Sequence, residues 1–243
     1  MRFLPTRRRS EPESSFPKYF NQNLSKICIA HPIGMCYTFY IKAKEVSSLT
    51  RNDVTVQIML GGLSTRMGQD KALVTLGGKT LLERAIERWQ GYGAGLQLSV
   101  GAAERAELAP DGISAVADIY PERGPLGGLQ AGLHACDTPL LLLVAVDCPF
   151  LDYEQADRLL DAVGEAEACV YTLDGRPQPL FGLYRRRCWT SAETLILQGD
   201  NRMSSLLEWS NTVYVPAEET EPFRNLNTPE DLAEAERILS VSG

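Results

Sequence analysis

Residues 54–71 read VTVQIMLGGLSTRMGQDK, and this stretch decides the fold. It opens with the β-rich run 54–60, which passes directly into paired glycines and a Gly-, Ser- and Arg-containing loop. Such a loop lies at the carboxyl edge of a sheet, where open α/β folds bind ligands. Glycines let backbone N–H groups turn around phosphate oxygens, and Arg66 and Lys71 supply the positive charge that a triphosphate requires. Composition alone leaves a solvated surface loop as the alternative.

Strand and helix patterns alternate along the rest of the chain. Capping boxes at Thr80/Glu83 and Asp152/Gln155 predict two helix starts, and Thr228 before a proline predicts a third. The closing Gly77-Gly78 makes a hairpin turn plausible after residues 72–76. Further strands are predicted at 96–100, 113–117, 140–146 and 168–173, and a further helix at 125–135. This order predicts an α/β fold with a mainly parallel sheet.

The first 53 residues differ from the remainder. They hold nine Lys and Arg against four Asp and Glu, whereas residues 54–243 hold 15 against 27, within a net charge of −7. No clear period emerges there, and Pro32 and Gly34 interrupt the apolar stretch 27–41. We therefore expect a poorly ordered extension, 1–53, ahead of one catalytic domain, 54–243.

Bulk properties exclude several classes of protein. The acidic body argues against nucleic-acid binding, which needs a basic surface. No apolar run reaches the roughly 18 residues of a membrane span. The six cysteines form no CxxC pair, which predicts reduced thiols and a cytoplasmic location. His134, alone in the predicted domain, is expected to pack or face solvent.

Two familiar phosphate-binding motifs fail on spacing. The glycines of the loop are Gly61, Gly62 and Gly68, which do not make G-x-G-x-x-G. Gly78-Lys79-Thr80 mimics the end of a P-loop, but the required first glycine is Leu73.

Two later segments place polar chemistry at predicted strand ends. Asp118 precedes GPLGGLQAG at 124–132, a glycine-rich helix start whose free N–H groups suit a nucleotide, although tight helix–sheet packing would select the same small residues. Asp147 ends the apolar run 141–146, where a carboxylate needs a partner, a hydrogen bond or a metal. A helix cap or turn role for Asp147 is the alternative.

The whole string at 60–71 resembles the signature loop L-[AG]-G-G-x-S-x-R-M-G-x-D-K of nucleotidyltransferases, specifically of the molybdenum cofactor guanylyltransferase family. The Asp118 segment, the D-x-P-F segment at Asp147 and NLNTPEDL at 225–232 follow in the family's order. The resemblance spans about residues 54–239. It implies a Rossmann-like three-layer fold of the nucleotide-diphospho-sugar transferase type.

The resemblance also implies site roles. Arg66, Lys71 and Asp147 would be catalytic, with Asp147 binding Mg²⁺, and Asn225 and Asn227 would face the pterin. The implied nucleotide-binding residues are Met59, Leu60, Gly61, Gly62, Gly68, Lys71, Asp118 and Asp147.

Two positions depart from the family pattern. Leu60 replaces the usual alanine, and residues 99–103 lack an asparagine that contacts the nucleotide in relatives. Both put base and ribose recognition in question and leave the phosphate chemistry intact.

The reaction implied by the resemblance is transfer of GMP from GTP to molybdenum-molybdopterin, with pyrophosphate released. Molybdoenzyme maturation partners are a further expectation. A molybdopterin cytidylyltransferase, a sugar-phosphate nucleotidyltransferase and a nucleotide-binding regulatory module remain as alternatives.

Overall fold

The computed structural model describes residues 24–30, 36–42, 49–61, 63–64 and 69–242, and the chain divides into two compact units, 1–48 and 49–243. The first unit contains an antiparallel strand pair, β1 (Leu24–Ala30) and β2 (Cys36–Lys42). The sequence pattern predicts no strand there. Pro32 and Gly34 fall between the two strands, so they separate two β-forming runs. The expected poor order of the remaining residues up to 48 concerns positions outside the described ranges.

The second unit begins at Leu49, five residues before the predicted domain start. A 3₁₀ turn, Arg51–Asp53, precedes the first strand and has a capping box between Thr50 and Asp53. This unit contains the following strands: β3 (Val54–Met59), β4 (Leu63–Ser64), β5 (Gln69–Asp70), β6 (Thr75–Leu76), β7 (Lys79–Thr80), β8 (Gly95–Gly101), β9 (Ser114–Ala117), β10 (Leu140–Ala145), β11 (Ala168–Leu173), β12 (Arg176–Arg185) and β13 (Thr212–Pro216). Its helices are α1 (Leu81–Trp89), α2 (Gly124–Ala135), α3 (Tyr153–Ala162), α4 (Cys188–Leu197), α5 (Met203–Trp209) and α6 (Pro229–Ser242).

Seven of these strands form one sheet in the order β13-β11-β12-β10-β3-β8-β9. The pairs β10/β3, β3/β8, β8/β9 and β11/β13 are parallel, and β12 runs antiparallel to both of its neighbours. The prediction of a mainly parallel sheet is therefore confirmed.

Alternate residues of the central strand β10 enter two different apolar clusters. Leu140, Leu142 and Val144 belong to one cluster, and Leu141 and Leu143 belong to the other. Because successive strand side chains point to opposite faces, the sheet is covered on both sides. The second unit thus has the predicted three-layer α/β architecture.

Both predicted capping boxes are present. Thr80 with Glu83 caps α1, and Asp152 with Gln155 caps α3. The predicted hairpin is the antiparallel pair β6/β7, joined at Gly77-Gly78.

Four elements between residues 176 and 216 were not predicted: β12, α4, α5 and β13. β12 contains Pro177 and Pro179, which lack the N–H that a strand ladder uses, so its sequence gives only a weak strand signal. The N-caps of α4 and α5 are Arg187 and Arg202, which make no side-chain cap hydrogen bond. Without such caps the sequence carries no local start signal.

Within the described residues, no helix is both long enough and apolar enough to cross a membrane.

Candidate active site

The carboxyl ends of β3, β8 and β10 meet at one edge of the sheet. The Val146 amide donates to the Met59 carbonyl (3.0 Å), and the Leu60 amide donates to the Ser99 carbonyl (3.2 Å). These bonds continue the parallel ladder past the ends of the strands. The residues that follow each strand are therefore held side by side, as expected for an α/β ligand site.

The glycine-rich loop leaves this edge directly after Leu60. Gly61 has φ +70°, a left-handed conformation that glycine adopts without strain. The short strands β4 and β5 then pair antiparallel, with Leu63 opposite Asp70. Gly62, Arg66 and Gly68 lie outside the described residues, so their roles remain predictions.

Lys71, Asp147 and Asn227 meet at the centre of the site. The Lys71 Nζ lies 2.6 Å from Asp147 Oδ2 and 2.5 Å from Asn227 Oδ1. The Lys71 and Asp147 side chains are only 17% and 15% exposed. A charge pair so shielded from water requires good geometry, because desolvation opposes its formation. The structure thus brings together a loop residue, a strand-end carboxylate and an amide from the last motif.

The asparagine segment is fixed beside Asp147 by backbone bonds. The Leu226 amide donates to the Asp147 carbonyl at 2.9 Å. Asp231 accepts from the amides of Asn227 (3.0 Å) and Thr228 (2.9 Å), and these bonds help to lower the pKa of its carboxyl. This cap of α6 positions the residues that precede it.

Asn225 lies next to a thiol. Cys148 donates to the Asn225 Oδ1 and lies 3.7 Å from Asp147 Oδ1. Burial, reinforced by Asp147, raises the pKa of the Cys148 thiol well above its usual value. Cys148 is therefore a neutral donor that orients the amide. The other described cysteine side chains, Cys136, Cys169 and Cys188, are also free and are buried.

Asp118 carries an unpaired buried oxygen. Its Oδ1 is buried and has no hydrogen-bond partner, and desolvation raises the pKa of the carboxyl. A Cβ built on Gly128 would lie 3.6 Å from this oxygen and 3.2 Å from Met59 Cε. Met59, Asp118 and the start of α2 therefore share one small space. An acceptor left in this state suits a donor from a bound ligand.

Arg105 is a site residue that the sequence analysis missed. Its guanidinium donates to the carbonyls of Gly61 (2.7 Å) and Val100 (2.9 Å), and to Asp70 Oδ2 (2.6 Å). Arg105 is the sole basic residue between Arg88 and Arg123, but no local pattern indicates its partners, which lie 5, 35 and 44 residues away in sequence.

Nearby, Gly101 occupies a left-handed conformation, φ +72°.

His134 is exposed, and its ring meets the Trp189 ring edge-on at 5.4 Å. This placement agrees with the expectation that His134 packs or faces solvent.

Fold and site together define a class. A mainly parallel α/β sheet carries, at one carboxyl edge, a glycine-rich loop, a lysine, a shielded carboxylate and the start of a glycine-rich helix. This is the arrangement of an enzyme that handles a nucleoside triphosphate.

Comparison with known proteins identifies the family within that class. Residues 56–213 match the family model of the MobA-like NTP transferase domain. A molybdenum cofactor guanylyltransferase from Rhizobium johnstonii is 34% identical over 208 residues, covering 80% of this chain and 97% of the relative. One from Vibrio campbellii is 31% identical, covering 75% and 95%.

Solved structures agree. The molybdopterin-guanine dinucleotide biosynthesis protein A from Archaeoglobus fulgidus superposes with a TM-score of 0.69 at 29% identity, covering 77% of this chain and 99% of that one. A 4-diphosphocytidyl-2C-methyl-D-erythritol synthase from Anaerococcus prevotii, at 16% identity and a TM-score of 0.57, shares the fold. The chain belongs to the MobA-like NTP transferase family and is a nucleotidyltransferase of the nucleotide-diphospho-sugar transferase fold.

Proposed function

We propose that the enzyme transfers GMP from GTP to molybdenum-molybdopterin and releases pyrophosphate. The observation that carries the proposal is the contact of Lys71 with both Asp147 and Asn227, because it joins the phosphate loop to the segment expected at the acceptor. The names of relatives that this chain covers almost completely supply the base and the acceptor.

The residues divide into two groups around the reacting phosphorus. Lys71 would neutralise charge on the triphosphate, and Asp118 would accept a hydrogen bond from the nucleoside. Asn225 and Asn227 would face the acceptor, whose anionic terminal phosphate attacks in line. Such a nucleophile needs little general-base help, so positioning and charge neutralisation provide most of the rate.

The residues around Asp147 fit a magnesium ion that arrives with the nucleotide. Magnesium takes one or two carboxylates together with phosphate oxygens and water. Asp147 supplies one carboxylate, and the amide oxygens of Asn225 and Asn227 lie within the same cluster. When bound, the ion would polarise the phosphoryl oxygens and stabilise the leaving pyrophosphate.

The proposed location is the cytoplasm, whose reducing conditions keep thiols free. Proteins that mature molybdoenzymes are the proposed partners.

Pyrophosphate release tests the proposal directly. We would assay GTP, CTP, ATP and UTP separately, each with and without molybdenum-loaded molybdopterin, using Asp147→Asn as the blank. Release only with GTP and the loaded pterin is expected. Preference for CTP would instead indicate a cytidylyltransferase, and release when a sugar phosphate replaces the pterin would indicate a sugar-phosphate nucleotidyltransferase. Nucleotide binding without any release would favour a regulatory module.

A further inference from the structure

Arg105 joins three separate segments through one side chain. It lies in the 3₁₀ turn Ala103–Leu108, which follows β8. Its guanidinium reaches the Gly61 carbonyl, the Val100 carbonyl and the Asp70 carboxylate at 2.6–2.9 Å. The Arg105 and Asp70 side chains are 24% and 13% exposed, so water screens their ion pair only partly.

Two of these acceptors flank the glycine-rich loop. Gly61 lies two residues before β4, and Asp70 ends β5 and pairs with Leu63. One guanidinium therefore fastens both sides of the base of the loop. The third acceptor, Val100, fixes this attachment to the sheet.

Asp70 passes the constraint on to Lys71. The Oδ2 of Asp70 accepts a hydrogen bond from Arg105. The Oδ1 of Asp70 accepts from the Ala72 amide at 3.0 Å and so caps the 3₁₀ turn Lys71–Leu73. Lys71 is the first residue of that turn. The orientation of the ammonium toward Asp147 is thus coupled to Arg105 through a single carboxylate.

We propose that Arg105 is a positioning residue that holds Gly61 and Asp70, at the two ends of the glycine-rich loop, and through Asp70 the backbone at Lys71, in place before the nucleotide arrives. The proposal rests on the proposed function in taking this loop as the triphosphate site. When a binding-competent state is only partly populated, apparent affinity falls in proportion to its population. Loss of Arg105 should therefore raise KM for the nucleotide more than it lowers kcat.

Arginine is required by geometry rather than by charge alone. Its planar fork presents several donors at once, whereas a lysine ammonium is a compact point charge. Arg105→Lys should therefore rescue only part of the loss caused by Arg105→Gln. Asp70→Asn removes the charge on Arg105's partner, and its amide oxygen can still cap the turn at Ala72.

The test compares Arg105→Gln, Arg105→Lys, Asp70→Asn and the double variant Arg105→Gln/Asp70→Asn. Arg158→Gln is the matched control, since Arg158 also bridges two carboxylates, those of Glu154 and Glu218, outside the site. We would measure kcat and KM for GTP, the thermal midpoint, and hydrogen exchange of the peptide 60–75 without nucleotide.

In Arg105→Gln we expect KM for GTP to rise about tenfold or more with kcat within about threefold, because substrate binding itself can restore the position of Lys71. Exchange in the 60–75 peptide should accelerate while the midpoint stays close to wild type. The double variant should lose no more than the worse single variant, since both act through one contact.

Unchanged KM and unchanged exchange in both Arg105→Gln and Asp70→Asn would overturn the proposal. So would equal losses in Arg158→Gln, or a collapse of kcat at constant KM. If Arg105→Gln fails to fold, Asp70→Asn carries the same test. Faster exchange in a protein whose wild type ignores GTP would support the role of Arg105 while contradicting the proposed function.

Discussion

Lys71 and Asp147 form the electrostatic centre of the site. Each is mostly shielded from water, and each is the other's counter-ion. Removing one partner of such a pair leaves the other as an unpaired charge that is shielded from water, which is unfavourable. The sequence offers a natural comparison in Lys79, whose pair with Glu87 is half exposed on both sides.

Lys71→Ala should lower kcat/KM for the nucleotide by about 100-fold or more, because it removes charge that stabilises the transferring phosphates. Lys79→Ala should change kcat/KM by less than about twofold, as expected for an exposed ion pair. Steady-state pyrophosphate release measures both values. Equal losses would mean that the phosphates bind near the P-loop-like triplet 78–80.

Asp147→Asn should lower kcat by about 10³-fold or more while leaving the fold intact, since the amide keeps the shape and loses the metal-binding charge. Asp152→Asn is the control, because asparagine also caps helices well and Asp152 lies at the start of α3. Turnover would be followed across a magnesium titration beside the thermal midpoint. Near-wild-type turnover in Asp147→Asn would refute the metal assignment.

At the scale of elements, α2 lies against the sheet through glycines. A Cβ built on Gly132 would come within 1.7 Å of Gln57 Oε1, so even a methyl group cannot fit without displacement. The buried side-chain amides of Gln57 and Gln97 lie at this contact and donate hydrogen bonds to the carbonyls of Gly128 (2.9 Å) and Gly132 (3.2 Å), respectively. Close packing therefore explains the later glycines of the motif, while the first turn of α2 stays at the site edge.

Gly132→Ala should destabilise the protein by about 1–3 kcal/mol, because overpacking displaces neighbouring atoms and here disturbs the buried hydrogen bonds of Gln57 and Gln97. For a domain of this size, each kcal/mol lowers the thermal midpoint by about 2–4 °C. Gly95→Ala is the control, since its nearest neighbour would be Thr55 Oγ1 at an ordinary 3.8 Å. Equal thermal midpoints for the two variants would contradict the packing explanation.

At the scale of the molecule, the unit that begins at Leu49 contains the entire seven-stranded sheet and both apolar clusters. Its first residues are part of its structure. Arg51 pairs with Asp157 and lies 5.0 Å above each of the rings of Tyr92 and Tyr153. A protein truncated at the boundary expected from the sequence, after residue 53, would lack these contacts.

Deletion of residues 1–48 should leave a folded, active enzyme, whereas deletion of 1–53 should lower the thermal midpoint by several degrees. The second deletion removes Leu49 from the core edge and Arg51 from its rings and carboxylate, with cation–π contacts alone contributing about 0.5–1 kcal/mol. Calorimetry and pyrophosphate release would be measured on both proteins. Equal midpoints would show that residues 49–53 contribute nothing.

Low pH should reduce the difference in thermal midpoint between the two truncated proteins. Arg51 lowers the pKa of Asp157 below its usual value, so the pair's stabilisation is present above the ordinary carboxyl range and is lost as pH falls through the lowered pKa. The difference between the two thermal midpoints should therefore narrow as pH falls below the usual aspartate range, leaving the part that Leu49 and the cation–π contacts of Arg51 contribute.

Local sequence signals predict β3, β6–β11 and α1–α3 in their order, the caps of α1 and α3, the loop and the succession of motifs, but not β1, β2, β4 or β5. These features depend on neighbours a few residues apart, through side-chain period, capping and glycine content. The sequence also named Lys71, Asp118, Asp147 and Asn227, although their roles came from resemblance to a family.

Only the tertiary structure decided which of these residues meet. Lys71 is 76 residues from Asp147 and 156 from Asn227. The first contact follows from the placement of β3 beside β10, and the second from the backbone bond of Leu226 to Asp147. The same is true of Arg105, whose partners come from β8 and from the base of the loop. Strand order in a sheet is set by packing between residues far apart in sequence, which no local pattern encodes. For that reason, the strand β12 with its two prolines could be recognised only in the folded chain. The same holds for the contacts of Arg105 with three separate segments.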